Sequence, residues 1–560
     1  MKRLSIAIFC AGLAVTTAMA QDIYKVENFA GSDLNGTARY VGMGGAMNAL
    51  GADISTMSTN PAGIGMMRKS DFSITFGLLS QKNAEKMDDI GKTRMSFDQA
   101  GFVFTARSNS KHLRYMNFGF NYKKRRNMKN FIGLYNIGLN NQSQTLQMAE
   151  LGNYYLVWDD GTNEFISPLV EAAYSTEAIG INNPSLPYDK DTNPIMGYNA
   201  SMYNFSRVQH GGIHEFDFNF SFNFDDRWYA GITVGAYTVN WHSYTYYQEG
   251  WPMGGGGLAD YYMANDEQIK GSGFDIKAGF IGRPIEDSPF RFGIAVSTPT
   301  WFNLTGNNIL DVDAPYLNPS TGKIEGKVKQ VRTGDFDYRI TTPWKFNFSL
   351  ATTVGQTLAL DAEYEYMDYT GASVRYPESN SNYYRTIGSV GSTYKDRPLA
   401  SEIDRYMNGV HTFRVGAEAR LTKGLYARLG YNYVSKPMKD EAIKNLFIGQ
   451  DTPEGDSESV INTTGTEYVN LSAINRITAG LGYHGKNFYA DLAFQYQAQK
   501  GDVYAFHNFD TQKIDEINSS SLSKSQKELA IGAVARVNTL QKQTFDLNRL
   551  GVQLTLGYKF

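Results

Sequence analysis

From Lys69 onward the chain repeats stretches in which apolar and polar side chains alternate residue by residue. Successive side chains of a β-strand point to opposite faces, so such stretches predict strands with one apolar and one polar face. Between His214 and Phe224, Phe216, Phe218, Phe220, Phe222 and Phe224 share one face, and Glu215, Asp217, Asn219, Ser221 and Asn223 share the other. Leu358, Leu360, Ala362, Tyr364 and Tyr366 oppose Asp361, Glu363 and Glu365 in the same way. Phe413, Val415, Ala417, Ala419 and Leu421 oppose Arg414, Glu418 and Arg420; Leu425 to Tyr433 oppose Arg428 and Asn432; Phe488 to Tyr496 oppose Asp491 and Gln495. A face this apolar over so many segments belongs in hydrocarbon, and the charged face opposite it in a polar or plugged lumen. After the N-terminus no apolar run reaches the ~20 residues that a membrane helix needs. The architecture that satisfies every backbone group without helices is a closed barrel.

The connections alternate in length. Short ones fall at 107–113, 225–227, 283–289, 353–356, 422–424 and 484–486, and long ones at 81–98, 143–212, 244–269, 305–343, 370–409, 435–473 and 498–547. Short turns on one side and long loops on the other are the asymmetry of outer-membrane barrels. Counting each apolar piece separately gives an odd number of strands, which would put the chain ends on opposite sides. The conflict lies at 114–142, where Tyr122-Lys-Lys-Arg-Arg-Asn-Met-Lys-Asn130 separates two apolar pieces. Treating them as one interrupted third strand gives an all-β, transmembrane antiparallel barrel of about 14 strands. The last of these, with Val552, Leu554, Leu556, Tyr558 and Phe560 on one face, ends on an aromatic residue. Such an ending resembles the signal by which the barrel-assembly machinery recognises its substrates.

The N-terminal stretch Thr37–Arg68 departs from this pattern: it is rich in Gly, Ala and Met, nearly free of charge, and shows no alternation. It reads as a compact plug, giving the division 1–20 signal peptide, 21–68 plug and 69–560 barrel. The signal reading rests on Lys2 and Arg3, the apolar run Leu4–Val15 and the small-residue site Ala18-Met19-Ala20. Cys10, the only cysteine, lies inside it. The 37 Tyr, 33 Phe and 55 Gly suit the aromatic girdles of a membrane barrel. A net charge of −3 leaves no nucleic-acid footprint.

The segment Ala38-Arg-Tyr-Val-Gly-Met-Gly-Gly-Ala46, followed by Ser58-Thr-Asn-Pro-Ala-Gly63, resembles the N-terminal hatch of the FadL/OmpP1/TodX family of outer-membrane transporters. The likeness continues in Phe292–Trp301, Thr342–Phe346, Gly424–Tyr433, Ala479–Tyr483 and Phe488–Ala493. The resemblance implies a 14-stranded barrel in the outer membrane of a Gram-negative bacterium, blocked by a hatch, that takes up long-chain fatty acids or other hydrophobic compounds. It also implies lateral exit where the third strand kinks inward, the strand singled out above by parity alone. On this reading Asn60, Pro61 and Ala62, with Gly42, Gly44 and Gly45, belong to the hatch and its gating, Asn60–Ala62 near the barrel centre. Tyr122, Lys123, Lys124, Arg125, Arg126 and Asn130 belong to the lateral opening. Expected partners are fatty acids, aromatic hydrocarbons or other lipids, the membrane lipid, and the assembly machinery through the Phe560 strand; a monomer is expected.

Other chemistry is weaker. Trp241, Tyr244, Tyr246, Tyr247 and Trp251 read either as an interfacial belt or as a ligand groove. Phe165 to Ile179 could form an amphipathic helix. His210 and His214 lack a third metal ligand, and Asp311 and Asp313 lack the rest of a calcium loop. Gly42-Met-Gly-Gly-Ala-Met47 lacks the last glycine of a dinucleotide fingerprint and the strand before it. No nucleophile elbow is present, so neither an enzyme nor a cofactor is expected. The competing readings are an open diffusion porin, against which the plug argues, and a surface-binding, adhesion or haemin-receptor barrel whose loops carry the function.

Overall fold

The computed structural model describes residues 22–560 apart from 83–92, 140–141, 160–161, 166, 187, 190–191, 251–260, 315, 318–323, 378–392, 447–462 and most of 508–541; residues 1–20 lie outside the described residues. Fourteen antiparallel strands close into one barrel. They are β1 (Asp71–Gln81), β2 (Thr93–Arg107), β3 (Leu113–Asn127, resuming as Asn130–Gly138), β4 (Met202–Phe224), β5 (Trp228–Gly250), β6 (Tyr261–Gly282) and β7 (Arg291–Ser297 and Trp301–Asp313). The others are β8 (Val328–Arg332, Phe336–Thr341 and Lys345–Val354), β9 (Leu358–Asp368 and Ser373–Pro377), β10 (Gly409–Thr422), β11 (Leu425–Val434), β12 (Ile474–His484), β13 (Phe488–Ala498) and β14 (Arg549–Lys559). Closure is made by β1 on β14, from Asp71↔Lys559 to Gln81↔Arg549. The two apolar pieces at 114–142 belong to one wall strand, since both pair with β4. Strand number is therefore even and both ends of the barrel chain lie on the short-turn side.

The alternation places side chains as polarity demands. Phe218, Phe220 and Phe222 point outward, with Phe220 at 53% exposure, while Glu215, Asp217, Asn219 and Ser221 are buried inside. Asp361, Glu363, Arg414, Arg428 and Asp491 are also buried in the lumen. The strands run further than the sequence suggests: much of 202–212, 244–250, 261–269 and 305–341, read as loop, continues the wall. The reason is that the wall inverts its polarity part-way up. On β5, Ile232 and Val234 face out and Thr233 faces in; above them Tyr237, Val239 and Trp241 face in, and Thr238 and Asn240 face out. Past the apolar belt the barrel becomes an ordinary soluble β-structure around an apolar core.

That upper core takes in residues of every kind of element: Ile23, Val26 and Phe29 from the plug, Met148 and Leu151 from helix Gln144–Tyr155, and Leu169 and Val170 from helix Pro168–Ser175. The second of these helices occupies part of the segment read as amphipathic and begins at Pro168, a residue suited to a first helical position. No described helix is long and apolar enough to cross a membrane.

If the inversion sets the belt, Phe220→Arg should destabilise the barrel by about 2–4 kcal/mol, whereas Thr238→Arg on the outer face above it should cost about 1 kcal/mol or less. Urea unfolding of the two variants in lipid vesicles measures both, and equal costs would place the belt elsewhere.

Candidate functional site

Residues 22–70 form no strand and fill the barrel. Helix α1 (Ile23–Ala30) stands in the upper half, a connecting strap follows at 31–36, and α2 (Ala38–Gly42) with the turns Ile54–Ser58 and Pro61–Met66 packs below. The lower part is bound to the wall on all sides. Arg39 makes a two-point contact with Glu418, at 2.9 Å from each oxygen, and Glu418 and Asp491 both take Arg428 at 2.6 Å. Glu363 accepts the backbone N–H groups of Met47 and Asn48 at 2.6 Å, and Asp361 those of Ala49 and Leu50 at 3.1 and 2.9 Å. Charge-assisted hydrogen bonds of this kind are about twice as strong as neutral ones.

Asn60 is extended, as a residue before proline must be. Its amide oxygen accepts from Ala62 N–H at 3.2 Å and its amide nitrogen donates to Asn48 O at 3.0 Å. The Pro61 carbonyl accepts from Ser221 Oγ at 2.7 Å. The motif sits against β4–β7, where Gly231 and Gly279 leave room for Asn60 and Pro61. Gly44 has φ +66° and lies so close to Gly430 and Tyr431 of β11 that a Cβ would strike their backbone. Gly42 abuts Gly480 of β12 in the same fashion, and Gly45 is also at positive φ.

Among the described residues, the wall is broken between β2 and β3. β2 and β3 pair from Arg107↔Tyr115 up to Gln99↔Lys123 and no further. Above that, Thr93–Phe97 continues on β1 alone and Lys124–Asn127 on β4 alone. Register shifts accompany the parting on both sides, at Thr75/Phe76 opposite β2 and at Lys124/Arg126 in β3, where Arg125 is the extra residue of a bulge. Upper β3 is carried inward, within reach of lumen-facing side chains of β1 and β14. Gln81 exchanges hydrogen bonds with the Phe131 backbone at 2.7 and 3.0 Å, and Arg549 donates to Lys129 O at 2.7 Å. The β2–β3 split is thus bounded below by Gln99–Lys123 and above by Gln81–Phe131.

Two cavities flank the strap. A chamber of about 120 Å³ lies among Lys123, Arg125, Lys345, Glu365, Arg414 and Arg476. A smaller one of about 50 Å³ lies at the split, against Leu78 and Leu79 of β1, Ser96 and Asp98 of β2, and Lys124 and Asn127 of β3. The chamber is strongly polar. Lys277, part of its lining, is buried and bound by Glu215, Asp217 and Asp275 at 2.7, 2.9 and 3.1 Å.

The predicted site residues fall as follows. Lys123 and Arg125 point into the lumen, Lys124 lines the split, and Arg126 reaches α1. Tyr122 adjoins the lower edge of the break: it pairs with Ala100, faces outward, stacks on Phe97 and hydrogen-bonds His214 at 2.8 Å. Asn130 begins the resumed β3, pairs with Gln209 and faces a separate upper cavity. The aromatic groove is not formed. Strand alternation sends Trp241 and Tyr247 inward, where both are buried and Trp241 borders the upper cavity, and Tyr244 and Tyr246 outward; Trp251 lies outside the described residues. Trp241 carries Lys25 Nζ at 4.1 Å from its ring centre, and Tyr247 stacks on Tyr203. Asp311 accepts from Gln330, and no group of three metal ligands occurs among the described residues. Sequence reasoning missed Asp33, Asn35 and Gln81, polar residues in short stretches that carry no motif.

No family model matches the chain, and no curated protein does. Solved structures similar to it include a Pseudomonas aeruginosa FadL homologue at 12% identity, covering 94% of this chain and 99% of that one with a TM-score of 0.48. The Ralstonia pickettii toluene transporter TbuX is similar at 13% identity, with 94% and 98% covered and a TM-score of 0.43. The P. putida toluene transporter TodX is similar at 11%, with 94% and 99% covered and a TM-score of 0.45.

Two outcomes follow from these bonds. Glu418→Ala leaves Arg39 and Arg428 without their shared carboxylate and should cost roughly 3–5 kcal/mol, the usual penalty for breaking a buried ion pair. Protease sensitivity of the plug in the folded barrel reports it. At the upper end of β5, well above the belt, Glu249 accepts the first N–H groups of helix Gln144–Tyr155, from Gln144 at 3.0 Å and Thr145 at 3.4 Å. Burial raises its carboxyl from the ordinary 4.5 to about 7, against the hydrogen bond from Tyr247. The folded state therefore holds a proton that the unfolded state releases, so stability of this upper region falls as pH rises from 4.5 through 7. Glu249→Gln should flatten that profile in thermal melts; an unchanged slope would assign it to another group.

Proposed function

We propose that the chain is a passive channel of a Gram-negative outer membrane that admits hydrophobic molecules and releases them sideways through the split between β2 and β3. The observation that carries this reading is the contrast between plug and wall. The lower plug is tied to the barrel through Arg39–Glu418, Glu363 and Asp361, so a straight route to the short-turn side would break several buried charged contacts. The wall at Ser96–Asp98 and Lys124–Asn127 lacks its ladder, and on its β2 side Met95 and Phe97 are exposed on the outer face.

Direction and passivity follow from solvation. A molecule leaving a polar chamber for lipid gains about 0.8 kcal/mol for each methylene it buries, so no energy source is needed. The charges around the chamber favour a substrate with a polar head, such as a fatty acid, over a wholly apolar hydrocarbon. The resemblance of the plug sequence to the FadL/OmpP1/TodX hatch supports the same reading. Phe560, whose N–H bonds Ser70 O at 3.0 Å, ends the closing strand through which the assembly machinery would engage the chain.

Replacing 123–130 with a regular alternating segment should let β3 pair with β2 throughout. Uptake of a labelled fatty acid by cells carrying this variant should fall to background while ligand still binds the purified barrel. Undiminished uptake by a folded variant would rule out exit at this strand, and binding without any uptake by the unaltered protein would favour a surface receptor.

A further inference from the structure

On the outer face of the wall three cations stand side by side across neighbouring strands. β8 and the upper part of β9 pair at Arg339↔Arg375, and Arg375 pairs in turn with Lys395 of the short strand Thr393–Lys395. Tyr338 and Ile340 beside the first arginine, and Val374 and Tyr376 beside the second, are packed in the upper core. Alternation therefore sends both arginines outward. Like charges set directly opposite each other destabilise a sheet. A carboxylate would ordinarily relieve them, yet among the described residues none pairs with Arg339, Arg375 or Lys395. Asp337, one step higher on the same face of β8, is engaged by Thr305 Oγ1 at 2.7 Å. Arg375 is held in place by Thr393, donating from Nε to its Oγ1 at 2.9 Å and from Nη2 to its carbonyl at 2.7 Å.

The row lies at a definite height. Asn303 of β7 and Ser272 of β6 continue it, and one step lower on the same face come Trp301 and Phe274, with ring centres 4.9 Å apart. Below them the outer face is apolar, with Ile276, Trp344 and Phe346 exposed. Aromatic side chains at the edge of an apolar belt mark the level of the lipid headgroups. The arginines stand just above that edge, on the long-loop side, where the outer leaflet of a Gram-negative outer membrane is built of phosphorylated glycolipid. We propose that Arg339 and Arg375, assisted by Lys395, bind a phosphate group of an outer-leaflet glycolipid whose acyl chains lie on Phe274, Trp301 and Phe346. This rests on the outer-membrane reading above and adds to it a lipid of stated chemistry. A guanidinium is a planar fork that meets a phosphate through two parallel hydrogen bonds. Two such forks in one row hold a phosphate from both sides, and its charge removes the repulsion between them. The site lies well round the barrel from the split between β2 and β3, so it serves the seating of the barrel among its lipids and not the passage of substrate.

The test uses the full chain, folded in detergent micelles, with deep-rough lipopolysaccharide as the probe and the same glycolipid after phosphatase treatment as its counterpart. Native mass spectrometry reads the bound fraction of each. The phosphorylated form should bind at least about tenfold more tightly, the worth of one hydrogen bond to a charged group. Arg339→Gln with Arg375→Gln should erase that preference. Lys111→Gln, an exposed cation on a short turn at the far end of the barrel, should leave it intact. A second pair, Arg339→Lys with Arg375→Lys, keeps the charge without the fork and should show a reduced preference in a barrel shown to be folded by its heat-modifiable migration. Equal binding of the two glycolipids to the unaltered protein, an equal loss in the Gln pair and in Lys111→Gln, or an undiminished preference in the Lys pair would overturn the site. Displacement by inorganic phosphate at concentrations comparable to the glycolipid would also overturn it, since the site would then take a free anion. Phosphate-dependent binding by a protein that transfers no fatty acid would support the site and remove the channel reading. Fatty-acid transfer without phosphate-dependent binding would remove the site alone.

Discussion

A barrel in hydrocarbon must pair every backbone N–H and C=O, and among the described residues the structure turns on a place where this pairing is not made strand to strand. β2 and β3 part above Gln99↔Lys123. Unsatisfied groups there would be expensive in lipid, so their partners come from elsewhere. Side chains of Gln81 and Arg549 take the backbone at Phe131 and Lys129, and the plug takes it at Lys124, Arg125 and Asn127. The plug is thus part of the wall's hydrogen bonding as well as an obstruction in the lumen. Its upper strap cannot move without changing the state of the wall.

The lumen is governed by a second constraint. A charged inner face opposite an apolar belt has to be neutralised within a narrow space, and lone buried charges are costly. The barrel answers with paired sets: Lys277 among three carboxylates, Arg414 between Glu363 and Glu365, Arg428 between Glu418 and Asp491. Arg39 completes the last set from the plug side, and Glu363 and Asp361 complete theirs with plug N–H groups. Anchoring the lower plug and neutralising the lumen are one arrangement. The strap touches a chamber lined by Arg476, which donates to Gln497 and Asn432.

Above the belt the demand reverses. Water surrounds the wall, so polar residues turn outward and Tyr237, Val239 and Trp241 turn in to build a core with α1 and the long 139–201 connection. This explains why α1 is bound there by packing, Phe29 on Phe302, as well as by ion pairs.

The sequence by itself determined what depends on period and on local chemistry. The two-residue alternation identified the wall strands and their faces, because side-chain direction in a strand follows from parity alone. The run Lys123–Arg126 marked the irregular strand, because four cations cannot line a regular strand in lipid, and Pro61 marked a rigid turn. Parity also contains the answer that the groove reading of 241–251 overlooked: Trp241 and Tyr247 cannot share a face with Tyr244 and Tyr246. What only the tertiary structure decided is which distant groups meet. Asp33 and Asn35 lie some ninety residues before the edge that they cap, with |i−j| of 94 to Asn127 and 89 to Lys124. Gln81 meets Phe131, and Arg39 meets Glu418, for the same reason. These partnerships follow from barrel closure and from the inward turn of β3, and no local pattern encodes the distance across a lumen.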